Sequence, residues 1–175
     1  MASSGAWAGL LAGPDVRRWT VVSMSEAFGQ KISGDTRNNW MVFMFVSKAR
    51  RNVFGKQSTV NAFLSALLGA KRFGYGFREV GFGGTHVHFE VNVPARYSVE
   101  SAIGFLKSFT ARRIFEAKPK FRLLYQRGSF WSGYEHHQSF GKDAEASRKY
   151  VRGQAAHHGV QIIPDAQPVT LTGWM

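Results

Sequence analysis

Apolar residues along this chain fall into runs, alternations and helical stripes that mark out its elements. Trp40-Met41-Val42-Phe43-Met44-Phe45-Val46 is a continuous apolar run of β-forming residues, which predicts a buried central strand. After it, Val60, Phe63, Leu64, Leu67 and Leu68 recur at helical spacing. Ser58 reads as the N-cap of that helix, which runs to about Leu68 with Gly69 as its stop. The aromatic, glycine-rich stretch from Phe73 to Phe82 holds a second strand over Gly76 to Gly81, entering a turn at Gly83-Gly84. Thr85 to Val93 is a third strand, ended by Pro94, which cannot donate to a ladder.

Ser98 caps a second helix, with Glu100 complementing the dipole in its first turn. Val99, Ala102, Ile103, Leu106, Phe109 and Thr110 form its buried face, and Lys107, Arg112 and Arg113 leave on other faces. Residues 117–128 read as a basic connection, and Ser129 to Gln138 as a fourth strand. Asp143 caps a last helix through about His157, whose apolar stripe is thin: Ala146, Val151 and Ala155, with Ala144 and Ala156. Residues 1–36 are a weakly patterned, partly disordered extension in which Trp19 to Met24 offers one extra strand and Gln30 to Asn39 is turn-rich. Residues 159–175 read as a tail after a domain spanning 37–158. The order strand, helix, strand, strand, helix, strand is the split βαβ, ferredoxin-like pattern of the α+β class. It predicts an antiparallel sheet with two helices on one face, plus the C-terminal helix.

Charge changes the picture. The 175 residues carry 23 Lys and Arg against 11 acidic residues, for a net charge of +12. That balance suits a polyanion, with nucleic acid ahead of an anionic membrane. The chain has no cysteine, which excludes disulfides, thiolate metal sites and cysteine nucleophiles. The early apolar stretch Ala6 to Gly13 is too short to span a bilayer.

Candidate chemistry sits in the third strand. His86 and His88 are two residues apart, so on a strand they share a face while Val87, Phe89 and Val91 face a core. Two imidazoles on one face can hold one metal ion. Glu90 shares that face as a further ligand, an orienting partner for an imidazole or a solvated charge. Tyr150 and Gln154 are four apart and share a helical face. A phenol is a weak nucleophile near neutral pH unless positive charge or a base favours the phenolate. Arg148, Lys149 and Arg152 supply charge beside Tyr150. Of the adjacent His136 and His137, at most one can reach such a site, and His157-His158 read as exposed. Lys48, Arg50, Arg51, Lys107, Arg112, Arg113, Arg148 and Arg152 are the candidate DNA-binding cations. Arg96, Lys118, Lys120, Arg122 and Arg127 add further charge, and Trp131 and Tyr134 are either base stackers or buried packing residues.

These residues resemble the single-tyrosine HUH transposases, which move the simplest insertion sequences as single-stranded DNA. The likeness runs from about Trp40 to Gln154. It rests on Val46-Ser47-Lys48-Ala49-Arg50-Arg51, Thr85-His86-Val87-His88-Phe89-Glu90-Val91, Val93-Pro94-Ala95-Arg96-Tyr97-Ser98, Thr110-Ala111-Arg112-Arg113-Ile114-Phe115, Phe130-Trp131-Ser132-Gly133-Tyr134 and Lys149-Tyr150-Val151-Arg152-Gly153-Gln154. The resemblance implies that His86, His88 and Gln154 bind Mg²⁺ or Mn²⁺. It implies that Tyr150 attacks the scissile phosphate to form a 5′-phosphotyrosine and free a 3′-OH. It further implies single-stranded DNA with hairpin ends as substrate, a homodimer in which the tyrosine helix can complete the partner's site, no nucleotide cofactor and a cytoplasmic, nucleoid-associated setting. The chain departs from the family at Gly81-Phe82-Gly83-Gly84-Thr85, where relatives more often carry a Pro-Asp turn, and at the polar Glu135-His136-His137-Gln138. A non-catalytic or domesticated nucleic-acid-binding protein on the same fold needs neither Tyr150 nor the histidine pair. A rolling-circle nickase or relaxase shares the chemistry but is commonly larger.

Overall fold

The computed structural model describes residues 19–24, 39–125, 127–141, 145–146, 149–153 and 160–162. Their elements, in chain order, are β1 (Trp19–Ser23), β2 (Trp40–Ser47), α1 (Gln57–Ala70), β3 (Gly76–Gly83), β4 (His86–Asn92), α2 (Val99–Ala117), α3 (Phe121–Leu124), β5 (Trp131–Gly141) and β6 (Val160–Ile162). The strands form one sheet in the order β5-β2-β4-β3-β1-β6. Four consecutive strands, from β5 at one edge, pair antiparallel throughout: β5 with β2, β2 with β4 and β4 with β3. This is the predicted ferredoxin-like split βαβ arrangement.

Strand alternation sorts the sheet into two faces. Met41, Phe43 and Phe45 of β2 and Val87, Phe89 and Val91 of β4 join α1 and α2 in one core. Phe63 of α1 meets Phe89 edge-on at 5.7 Å, and Phe45 meets Phe89 at 5.0 Å. Aromatic pairs at such angles add to the area they bury.

Several boundaries differ from the sequence reading. Ser58 lies inside α1 and is not its cap; the N-cap is Lys56, with no side-chain cap bond. The Ser58 hydroxyl instead meets the Lys118 ammonium. Gly69 does not stop α1 either. It lies within the helix, where a Cβ would meet the Phe109 ring of α2 at an ordinary contact distance of 3.4 Å. The chain turns away at Gly74, whose φ of 91° is a left-handed conformation glycine adopts without cost. Ser98 caps α2 as predicted, accepting from the Ser101 amide at 3.1 Å. The connection 117–128 contains α3, and its Tyr125 is buried against Phe115 and Phe130.

The sheet also grows at the edge beyond β3. β1, from the predicted extension, pairs antiparallel with β3, and β6, from the predicted tail, pairs parallel with β1. Three residues are too few to show a period, which is why β6 escapes a reading of hydrophobic pattern. Of the predicted last helix, residues 145–146 and 149–153 are helical. Asp143, Arg148, Gln154, His157 and His158 lie outside the described residues. Among the described residues no helix is long and apolar enough to cross a membrane.

Candidate active site

β4 runs through the middle of the sheet, between β2 and β3. Because Val87 and Phe89 go to the helices, His86 and His88 face the other way. Their ring centroids are 5.4 Å apart. His88 is buried and His86 half-buried.

Two neighbours shape His86. Gly83 stands directly across the β3–β4 ladder from it. A Cβ at Gly83 would lie 2.5 Å from His86 Cε1 and 2.9 Å from each ring nitrogen, so the imidazole occupies the space a side chain would need. The Thr85 hydroxyl oxygen is 3.2 Å from His86 Nδ1. Such a bond orients the ring and singles out Nε2 for any metal. The turn itself is at Gly84-Thr85, one residue later than the sequence suggests, and β3 runs on through Gly83. The sequence reading missed Gly83 as a site residue. Its one signal was a glycine at the point where relatives place another turn.

Tyr150 reaches this face from the helical residues 149–153. Its ring centroid lies 6.4 Å from that of His88. Val151 next to it is fully buried, and Arg152 Nη2 is 3.1 Å from Glu79 Oε1 on β3.

Glu90 is fully buried, so it is not a solvated charge. Nor does it complete a metal cluster: among the described residues no three His, Asp or Glu side chains gather for one ion. His136 is cross-strand from Met44, which is cross-strand from His88, so it shares the face but stands two strands away, roughly 10 Å. His137 pairs with Phe43 and lies on the helix side.

The candidate cations separate into groups. Lys48, Arg50 and Arg51 are exposed on a turn directly after β2. Ala49 and Arg50 there take φ values of 57° and 49°, a left-handed pair that costs non-glycine residues on the order of 1–3 kcal/mol each. Surrounding bonds hold that strain. Ser47 N donates to Thr85 O at 2.9 Å, Lys48 N to Phe130 O at 2.8 Å and Phe54 N to Gly84 O at 3.1 Å. The basic turn is thus fastened beside His86. Lys107 is half-buried on the helix side, ion-paired with Glu135 and donating to Ser132 O at 3.1 Å. Arg112 and Arg113 pair with Glu116 on the outer surface of α2 at 3.6 and 3.0 Å. Trp131 is not an exposed stacker: it is buried, and its indole donates to Thr110 Oγ1 at 3.0 Å. Tyr134 is 58% exposed.

Comparison with known proteins agrees with the fold. No curated protein matches the chain. Among solved structures, a candidate transposase from Deinococcus radiodurans R1 is 18% identical, with 71% of this chain and 97% of that one covered at a TM-score of 0.54. A REP-associated tyrosine transposase bound to a REP hairpin is 13% identical over 75% of each chain, at a TM-score of 0.47. The family model described as IS200-like transposase matches residues 36–154, well over half the chain. The chain therefore belongs to the IS200-like transposases, and is a transposase acting on DNA.

Proposed function

We propose that this transposase cuts and rejoins single-stranded DNA through Tyr150, at a metal site built on His86 and His88. The observation that carries this reading is the approach of Tyr150 to the paired imidazoles on one sheet face. In the proposed reaction the Tyr150 oxygen attacks the scissile phosphorus and the bond to the 3′-oxygen breaks. A phosphotyrosine forms on the 5′ side. The proton lost by the phenol is balanced by one taken up at the departing 3′-oxygen. A second 3′-OH then attacks the phosphotyrosine, restoring a phosphodiester and the free phenol. One ester replaces another, so no nucleotide cofactor is required.

The residues present fit a divalent ion. His86 and His88 supply two nitrogen donors from one face, with Thr85 orienting the first. Oxygen donors would complete the set: the Gln154 amide, a substrate phosphate or water. Mg²⁺ or Mn²⁺ held there would polarise a non-bridging phosphate oxygen.

The basic turn supports strand binding next to the site. Beside it lies a pocket of about 290 Å³ lined by Arg51, Asn52, Lys56, Val53, Phe121 and Leu124. Cations and apolar side chains lining one pocket suit a phosphate and its base. The resemblance extends this reading to hairpin-ended substrates and a homodimer, which light scattering on the purified chain checks.

The test is a covalent adduct on a denaturing gel. Labelled single strands from the gene's own flanking DNA are incubated with protein and Mn²⁺ or EDTA. A shifted band that needs both Mn²⁺ and Tyr150, and is absent in Tyr150→Phe, is the expected result. Tight binding with no adduct on any flanking strand would overturn it in favour of a non-catalytic binding protein.

A further inference from the structure

β3 does not run evenly. Phe77 stands opposite Val91 and Val80 opposite Phe89, so Arg78 and Glu79 together face Glu90 alone. This is a β-bulge, in which one strand carries an extra residue. Its effect is a change of phase. Unbroken alternation from Phe77 would send Glu79 into the helix-side core and Val80 and Phe82 away from it. With the bulge, Phe77, Val80 and Phe82 all stay in the core. Glu79 turns to the histidine face, where its side chain is only 3% exposed.

A carboxylate so buried needs a partner. Arg152 provides one, 3.1 Å away, from the segment that carries Tyr150. Successive helical residues are about 100° apart, so Val151 lies between Tyr150 and Arg152 around the helix. Val151 is fully buried. The segment thus rests on Val151, with Tyr150 on one flank toward β4 and Arg152 on the other toward β3. An ion pair on the flank opposite Tyr150 restrains the roll of the segment about Val151.

We propose that Glu79 is a positioning residue: by holding Arg152 it fixes the roll of the tyrosine segment and keeps the Tyr150 phenol beside His88. The proposal rests on the reading of Tyr150 as the nucleophile. It assigns the β3 bulge a task in the reaction rather than in stability alone.

The test compares wild type with Glu79→Gln, Arg152→Lys and Arg152→Met, using labelled flanking single strands and Mn²⁺. Glu79→Gln should slow single-turnover adduct formation at saturating DNA by roughly tenfold or more, the scale of a displaced reacting group. Its DNA affinity, read by fluorescence anisotropy, and its unfolding midpoint should stay near wild type. Arg152→Lys should retain most of the rate and Arg152→Met should lose it. Wild-type speed in Glu79→Gln, or a slowing that only tracks weaker DNA binding, overturns the proposal. If Glu79→Gln fails to fold, Arg152→Met, altered at the exposed end of the pair, carries the comparison. If wild type itself forms no adduct, the nucleophile reading fails separately. Amide exchange then decides on the tether: faster exchange at residues 149–153 in Glu79→Gln supports it, and unchanged exchange rejects it.

Discussion

The two faces of the sheet use the same strands for opposite ends. On the helix side, residues such as Phe43, Phe45, Phe63 and Phe89 are interchangeable in kind: each contributes area, and together they fill volume. On the other side His86, His88, Glu79, Glu90 and Tyr150 are individually placed polar groups, with His88, Glu79 and Glu90 buried. Burying polar groups costs stability unless each is matched. Arg152 matches Glu79 in this way, and β4 carries both functions one residue apart. Mutations on the helix face should therefore be read as heat, and on the histidine face as lost chemistry.

Neighbouring residues of β4 give the strongest way to break this contrast. Phe89→Ala should destabilise the fold by about 3–5 kcal/mol, seen as a lower unfolding midpoint. His88→Ala should leave a cooperative transition yet reduce the metal-dependent adduct below detection. Equal loss of folding in both would mean the two faces are not separable.

Two glycines sharpen it further. Gly83→Ala should weaken Mn²⁺ binding by roughly 10–100-fold, measured by calorimetry, because the new methyl displaces the His86 ring. Gly69→Ala places its methyl at ordinary contact distance from Phe109. It should leave metal binding unchanged and stabilise the helix by up to about 1 kcal/mol.

The smallest expected effect is in alkali. Burial, with help from nearby Tyr97 and against Arg96, pushes the Tyr75 phenol up to about 12. The unfolded chain releases that proton near pH 10, so the native state binds more protons between those values and stability falls as pH rises through them. Tyr75→Phe should flatten that part of the pH–stability curve without altering the adduct yield at neutral pH.

How much of this was legible follows from which contacts are local. The alternation around His86-Val87-His88 set the two faces directly, and the Ser98 cap needed only its own helix. The apolar run at Trp40–Val46 located the central strand. The bulge at Arg78-Glu79 was not legible, because nothing in Phe77-Arg78-Glu79-Val80 says which partner residue each will face. In the sequence Gly83 reads as a turn residue, because its use depends on a ring across the ladder. Composition cannot distinguish a surface cation or aromatic from one engaged within the fold, as Lys107 is by Glu135 and Trp131 by Thr110. The left-handed turn at Ala49-Arg50 is stabilised by strands far away in sequence, and neither residue advertises it.

The site is also unevenly distributed along the chain in time. Glu79, Gly83, Thr85, His86 and His88 all belong to one hairpin, β3–β4, whose ends meet through short-range contacts that close early in folding. Tyr150 follows His88 by 62 residues, and its segment can dock only after α2 and β5 have been made. During synthesis the histidine pair proposed to hold a metal is therefore made well before the tyrosine proposed to attack DNA. On the proposed mechanism, a nascent chain truncated before Tyr150 should carry the histidine pair without the nucleophile, so strand breakage would wait on the arrival of the C-terminal segment.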